Sequence, residues 1–412
     1  MLLWSQQFEE VVWLDSNDYD QHYTNFDAAL AVDAFTSIRT DHHDGFEKLK
    51  DYQTYTQDWI FGYLAYDLKN DVEQLTSNNY DGLEFPDLYF FQPKKLFLIK
   101  DDQLTVSYIK FVDDEWGRDF ECIDQLDLGP LPPHENVTKL KLRIHKDAYF
   151  KKVNILLDHI RRGDIYESNF CQEFYAEDIV INPLDTYLRL NEITKAPFAC
   201  FLKCGEKYLL SASPERYLKK ESSHIIAQPI KGTAKRSNIA QEDERLKKDL
   251  EECLKERSEN TMIVDLIRND LSKTALKGSV TVDELCKVYT FKQVHQMIST
   301  ISSEVKDDMH PVDVIKSTFP MGSMTGAPKI SAMKLIEHLE ETKRGLYSGA
   351  VGYFTPNNDF DFNVVIRSIL YNQSNKYVSF SVGSAITAKS DVLKEYEECL
   401  IKGKAMREVL EH

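Results

Sequence analysis

The sequence is poor in the residues that staple a small fold or hold zinc. Its seven cysteines, Cys122, Cys171, Cys200, Cys204, Cys253, Cys286 and Cys399, are scattered, odd in number and form no C-x-x-C pair. That argues against zinc and against a disulfide framework. Long apolar runs are also missing. The opening MLLWSQQFEEVVWL has no basic n-region and too few apolar residues for a signal or a span, so a reduced, cytoplasmic protein with no membrane partner is expected. Net positive charge is the third absence. With 50 Lys and Arg against 67 Asp and Glu the formal charge is -17, a field that repels polyanions, so no nucleic acid partner is expected. Any anion must be met by a local positive pocket. No internal repeat or low-complexity tract is seen, and the sequons at Asn136 and Asn372 read as chance matches.

What is present is ordinary globular material, 42% apolar and 28% charged over 412 residues. The first 135 residues alternate aromatic and β-branched runs with turn signals, as in WIFGYLAYDL (59–68) and LYFFQPKKLFLI (88–99), and read as strands with few helices between them. DLGPLPPHENVT (127–138) reads as a linker or long connection. Beyond it, DAYFKKVNILLDHIRR spaces Phe150, Val153, Leu156, Leu157 and Ile160 for a helix that Gly163 ends. A hairpin is expected around Cys204 to Lys207, and a long helix from about Asp243 to Leu271. Strands over 348–354, 362–371 and 377–382 and a last helix from about Asp391 to Leu410 complete the reading.

Positive charge gathers in one place, PIKGTAKR (229–236), with Lys231, Lys235 and Arg236 around a Gly-Thr turn. Such a cluster either lies on a solvated face or meets an anion. A desolvated lysine with cationic neighbours sheds its proton more easily and becomes a nucleophile. Acidic residues share helix faces at Glu252, Glu256 and Glu259, and again at Glu395 and Glu398. Solvated helix surface is the plain explanation of both, but Glu259 opens onto the apolar run TMIVDLI, at the edge of a core. Two helices each bringing a carboxylate to a pocket rim would suit Mg²⁺. FPMGSMTGAPK (319–329) and SVGSAIT (381–387) are either tight turns or backbone N–H donors for an oxyanion. Arg367, in FNVVIRSILY, falls in an apolar strand pattern and needs a carboxylate from protein or substrate. His295, in FKQVHQMIST, is either a satisfied core histidine or a site residue.

Taken together, SASPER (211–216), PIKGTAKR, SENTMIVDLIRNDL (258–271), FPMGSMTGAPKISAM (319–333), YSGAVGY (347–353), VVIRS (364–368) and EYEE (395–398) resemble the chorismate-utilising enzymes. That family spans anthranilate and aminodeoxychorismate synthases, with isochorismate and salicylate synthases as cousins. The resemblance covers about 145–408 and implies an α+β fold of two large, mostly antiparallel sheets packed face to face with helices outside. Residues 145–408 would form the chorismate-binding catalytic domain, with 1–135 a β-rich part integrated into the same fold. It implies Glu259, Glu398 and Glu395 as the Mg²⁺ group, and Gly232, Thr233, Tyr347, Arg367 and Gly383 as holders of chorismate's carboxylates. His295 would stand near the ring and Glu215 would be the acid/base beside the leaving hydroxyl.

Two positions sort the branches. Lys231 stands where anthranilate and isochorismate synthases carry a small residue, so the PIKGT loop resembles the aminodeoxychorismate synthase branch. Glu167, in GDIYESNF, stands where the isochorismate and salicylate branches carry a water-activating lysine, and also departs from the glutamine common in the aminodeoxychorismate branch; Met321 departs from a glycine. The implied activity is conversion of chorismate and ammonia to 4-amino-4-deoxychorismate through a Lys231 adduct at C2, as in p-aminobenzoate and folate synthesis. Ammonia would come from a glutamine amidotransferase subunit in a heterodimer. The alternative is an anthranilate synthase component I.

Overall fold

The computed structural model describes residues 1–19, 23–127, 129, 138–292 and 294–411; most of the connection expected at 127–138 lies outside them. The architecture turns on two long N-terminal strands, Ala28–Thr40 and Leu88–Lys100, the second of which carries the aromatic run LYFFQPKKLFLI. They pair antiparallel along their length, with one irregularity between Ala34 and Thr36. From Ala28–Thr40 the ladder continues through Glu10–Asp15, Phe198–Cys204, Lys207–Ser213, Ser368–Asn372 and Tyr377–Thr387 to Glu167–Ala176. From Leu88–Lys100 a second limb runs through Ile60–Leu64, Ala350–Phe354, Phe360–Val364, Arg216–Glu221 and His224–Gln228 to Val294–Glu304. The last of these also pairs with Thr281–Thr290 and Ile230–Lys235.

The expected α+β class is therefore observed, and the two sheets are limbs of one continuous network of 19 strands among the described residues. Strands before residue 127 pair directly with strands after 138, Glu10–Asp15 with Phe198–Cys204 and Ile60–Leu64 with Ala350–Phe354. One apolar core gathers Phe61, Phe90, Phe354 and Phe362; the other gathers Tyr149, Phe170, Phe201 and Phe380. Each such side chain, removed from water, contributes roughly 1.5–3 kcal/mol. Helices Lys146–Arg162 and Val392–Lys402 lie against the first limb, and Leu254–Ser272 against the second. No helix among the described residues is long and apolar enough to cross a membrane, and the seven cysteines are free thiols.

Three sequence expectations change in detail. The helix expected over 243–271 is two helices, Ala240–Glu252 and Leu254–Ser272, because Cys253 adopts an extended conformation. The bend lets the second helix bury Glu259, Asn260, Ile263 and Val264 on the second limb. The last helix likewise breaks at Gly403 into Val392–Lys402 and Lys404–Glu411. The run over 362–371 is two strands in different limbs, Phe360–Val364 and Ser368–Asn372, with Arg367 between them. A helix at Gly45–Thr56, which buries Phe46, Leu49 and Gln53 on one face, was outside the strand reading of that region.

Candidate active site

The chain changes limb at two places that carry functional side chains. Between Lys207–Ser213 and Arg216–Glu221 it passes through Pro214 and Glu215; between Phe360–Val364 and Ser368–Asn372 it passes through Val365, Ile366 and Arg367. The two crossings are bonded to each other. Val364 N–H donates to the Glu215 carbonyl at 3.0 Å, and Ala212 N–H donates to the Arg367 carbonyl at 3.1 Å.

Glu215 is buried, and desolvation pushes its carboxyl up to about 7, against a hydrogen bond from Ser323 and the charges of Lys231 and Lys402. Near neutral pH it holds its proton for much of the time, as a general acid must. Arg367 takes a left-handed backbone conformation, φ 52°, and its guanidinium makes no ion pair and no hydrogen bond among the described residues. Burial lowers its pKa, with Tyr347 and Glu398 the ionisable groups that face it. The partner that the sequence demanded for Arg367 is not a protein carboxylate, which leaves the planar fork free for an anion. Tyr347 is buried beside it, its hydroxyl accepting from the Cys171 thiol at 3.7 Å. Gly383 lies opposite Cys171, where a Cβ would come within 2.5 Å of the Asn169 Oδ1 and Cys171 Sγ; its carbonyl accepts from Lys402 Nζ at 3.0 Å.

Lys231 and Glu167 face each other from opposite limbs. The ladder beside Val294–Glu304 loses register between Ile230 and Thr233, so Lys231 and Gly232 bulge out of the strand. Gly232 needs φ +84°, and a Cβ there would sit 3.0 Å from Leu250 Cδ1 and 3.1 Å from Glu256 Cβ. The bulge aims Lys231 Nζ at Glu167 Oε1, 3.2 Å away. Burial pulls the Lys231 pKa down, but the carboxylates of Glu167, Glu259 and Glu215 outweigh it and hold the ammonium above the ordinary lysine value. In the free protein the facing carboxylates, and not the neighbouring cations, dominate the field at Lys231. Arg236 is turned away to Asp243, 2.8 Å from guanidinium nitrogen to Oδ2, so it does not help Lys231 shed a proton. Thr233, two residues beyond Lys231, is exposed.

Of the three acidic residues assigned to Mg²⁺, two flank one ammonium, Lys255, and the third, Glu398, pairs with Lys402. Lys255 Nζ lies 3.8 Å from Glu259 Oε1 and 3.5 Å from Glu395 Oε1. Glu259 Oε1 is buried with no hydrogen-bond partner among the described residues, and desolvation raises this carboxyl to about 7. Burial would raise Glu398 too, but Lys402, 2.6 Å away, holds it below the usual value. Among the described residues no three acidic, histidine or cysteine side chains close into a ready metal cage. The donor chemistry nevertheless suits Mg²⁺, which uses one or two carboxylates and completes its shell with water and ligand oxygens. Lys255 is a stand-in cation at that position.

His295, opposite Ala234 in the ladder, makes no hydrogen bond or ion pair with this acidic cluster among the described residues. Its ring is buried between the Thr290 hydroxyl, 2.9 Å from Nδ1, and Asp243 Oδ1, 3.0 Å from Nε2. Both nitrogens are satisfied, the structural alternative for a lone histidine. Sequence reasoning missed Lys255, Lys402 and Ser323, and noted Glu167 without its partner. The one signal available was the opposite charge of Glu167 and Lys231.

Comparison with known proteins agrees with this geometry. The sequence profile described as "chorismate binding enzyme" matches residues 9–408. The chain is 41% identical to the "Probable aminodeoxychorismate synthase, chloroplastic" of Oryza sativa subsp. japonica, over 67% of this chain and 31% of that protein. It is 30% identical to the "Aminodeoxychorismate synthase component 1" of Bacillus subtilis, over 86% of this chain and 77% of the relative. It thus spans about a third of the plant protein and most of the bacterial one. Among solved structures, the anthranilate synthase component I of Streptococcus pneumoniae TIGR4 superposes with a TM-score of 0.80 at 25% identity, covering 94% of this chain and 93% of that one. With its two-limbed sheet, its crossing-borne acid and arginine and its paired lysine, this chain belongs to the chorismate-binding enzyme family.

Proposed function

We propose that the chain replaces the C4 hydroxyl of chorismate by an amino group, giving 4-amino-4-deoxychorismate. The observation that carries the reading is the bulge-borne Lys231, projected toward the opposite limb with the buried acid Glu215 within electrostatic reach. Amination at the same carbon with retention is awkward in one displacement, whereas two successive allylic displacements accomplish it. In the first, the neutral Lys231 amine forms a bond to C2, both ring double bonds shift, from C1–C2 to C1–C6 and from C5–C6 to C4–C5, and the C4–O bond breaks; the second displacement reverses these shifts. Glu215 gives its proton to the departing oxygen, which leaves as water. In the second, ammonia bonds to C4 and the C2–N bond breaks, returning the lysine amine; Glu215 takes a proton from the new ammonium and is reset.

Arg367 supplies a bidentate clamp for a substrate carboxylate, with Tyr347 beside it. Glu259 and Glu398, with Glu395 adjacent, would hold Mg²⁺, whose chemistry is Lewis-acid withdrawal of charge. Ammonia is assigned to a glutamine amidotransferase partner, a reading supported by the "component 1" in the name of the Bacillus relative. The likeness to the pneumococcal anthranilate synthase favours a second reading, amination at C2 with loss of pyruvate. Lys231 speaks against it, because an amine poised to bond C2 competes with ammonia for that carbon.

The test is product analysis with chorismate, Mg²⁺ and ammonium, with and without an aminodeoxychorismate lyase. Anthranilate formed without lyase would favour the second reading. Lys231→Ala is expected to form no aminated product from free ammonium; wild-type rates in that variant would remove the covalent step.

A further inference from the structure

We infer that Glu167 is the base that takes the proton from Lys231 as the lysine attacks; the inference rests on the covalent role given to Lys231 above. The lysine side chain is 13% exposed and that of Glu167 2%, so neither has ready access to bulk water as a proton acceptor. Held as an ammonium, Lys231 has no lone pair, and its proton needs a nearby destination. Glu167 Oε1, at 3.2 Å, is the one carboxylate oxygen within ion-pair distance of Nζ among the described residues.

The second oxygen of Glu167 sharpens the point. Oε2 is buried and accepts no hydrogen bond among the described residues. A buried carboxylate kept permanently ionised is normally satisfied at both oxygens. Among the described residues Glu167 is bound at one, by the group whose proton it would take. The other carboxylates facing Lys231 have different tasks or places. Glu215 lies on the crossing, under the influence of Lys402, and must carry a proton of its own for the leaving hydroxyl. Glu259, from helix Leu254–Ser272, sits beside Lys255.

The balance closes over a cycle. The ammonium proton passes to Glu167 as the C2–N bond forms, leaving a secondary ammonium adduct and a neutral carboxyl. When ammonia at C4 expels the lysine, the amine leaves neutral and recovers its proton from Glu167. No oxidant or further co-reactant is needed.

The experiment compares Glu167→Gln and Glu167→Asp with the wild-type chain in the ammonium assay from pH 6.5 to 9.5, total ammonium being adjusted to keep free ammonia constant. Gln preserves shape but cannot take a proton. It is expected to lower kcat at pH 7 by about 100-fold or more, the usual range for a lost general base. Its rate should then climb about tenfold per pH unit toward the lysine pKa, since deprotonation to solvent becomes the route. Asp, still a base, is expected to keep the wild-type profile at a reduced rate, with KM little changed in either variant. A Gln variant with the wild-type profile, or an Asp variant as pH-dependent as Gln, overturns the inference. If Gln lowers the melting temperature too far for assay, the Asp profile alone decides. Lys231→Ala is run in parallel. Product formed by that variant sinks the covalent reading itself, whereas an inactive Lys231→Ala beside a wild-type-like Glu167→Gln sinks only the base.

Discussion

Replacing Glu215 by glutamine should make the protein more stable at alkaline pH while disabling it. The native carboxyl, pushed by burial from 4.5 to about 7, keeps a proton that the unfolded chain has already released between those values. Where the native state binds more protons than the unfolded one, stability falls as pH rises. Glu215 therefore contributes no penalty below about pH 4.5, a growing one through the window, and a constant one above 7. At about 1.36 kcal/mol per tenfold, the gap from 4.5 to about 7 amounts to roughly 3 kcal/mol at pH 8.5. Glutamine is a neutral isostere of the protonated acid and escapes that penalty. Urea unfolding of wild type and Glu215→Gln, followed by tryptophan fluorescence from pH 5 to 8.5, should give curves that nearly coincide at pH 5. They should separate in favour of the variant as pH rises, other titrating groups cancelling in the difference. The variant should also lose about 10²–10⁴-fold in kcat for want of the acid. A stability difference that stays constant across the range would refute the buried, proton-holding Glu215.

Three other outcomes follow from the same geometry. Arg367→Met removes a desolvated cation with no ion-pair or hydrogen-bond partner among the described residues, so the melting temperature of the free protein should hold or rise; KM for chorismate should increase about 10- to 150-fold, equivalent to a charged hydrogen-bonded pair of roughly 1.5–3 kcal/mol. A fall in both stability and KM would contradict the free-fork assignment. Gly232→Ala places a Cβ on a φ of +84° against Leu250 and Glu256, and should destabilise by about 1–2 kcal/mol in thermal melts while lowering kcat through misdirection of Lys231; an unchanged kcat would show that the bulge does not aim the lysine. Mg²⁺ at about 100 times its dissociation constant should stabilise the protein by about 2.7 kcal/mol, reversed by chelation and absent in Glu259→Gln. Identical melting with Mg²⁺ and with chelator would discard the acidic cluster as its holder.

The sequence was informative wherever local chemistry speaks for itself. Gly163 ended its helix, the turn at Cys204 to Lys207 made its hairpin, and Glu259 lay at the edge of a core as the apolar run after it required. It was silent where two buried segments abut. FNVVIRSILY reads as one strand because Val364 and Ser368–Leu370 are buried in both limbs, so no polar alternation marks the place where the chain changes sheet. Nor could periodicity find the partner of Lys231, 64 residues away on another limb, or show that Asp243 would occupy both Arg236 and His295. Long-range pairing of charges is settled by topology, which a local pattern does not contain.

The two mutually bonded crossings also divide the site into parts of unequal anchorage. Glu215 and Arg367 sit on segments joined by two backbone hydrogen bonds, so the place of one constrains the place of the other. Lys231 and Glu167, on opposite limbs, meet through one side-chain ion pair. A rotamer change at either of these two side chains is enough to unfasten the nucleophile from its carboxylate while acid and arginine stay in register.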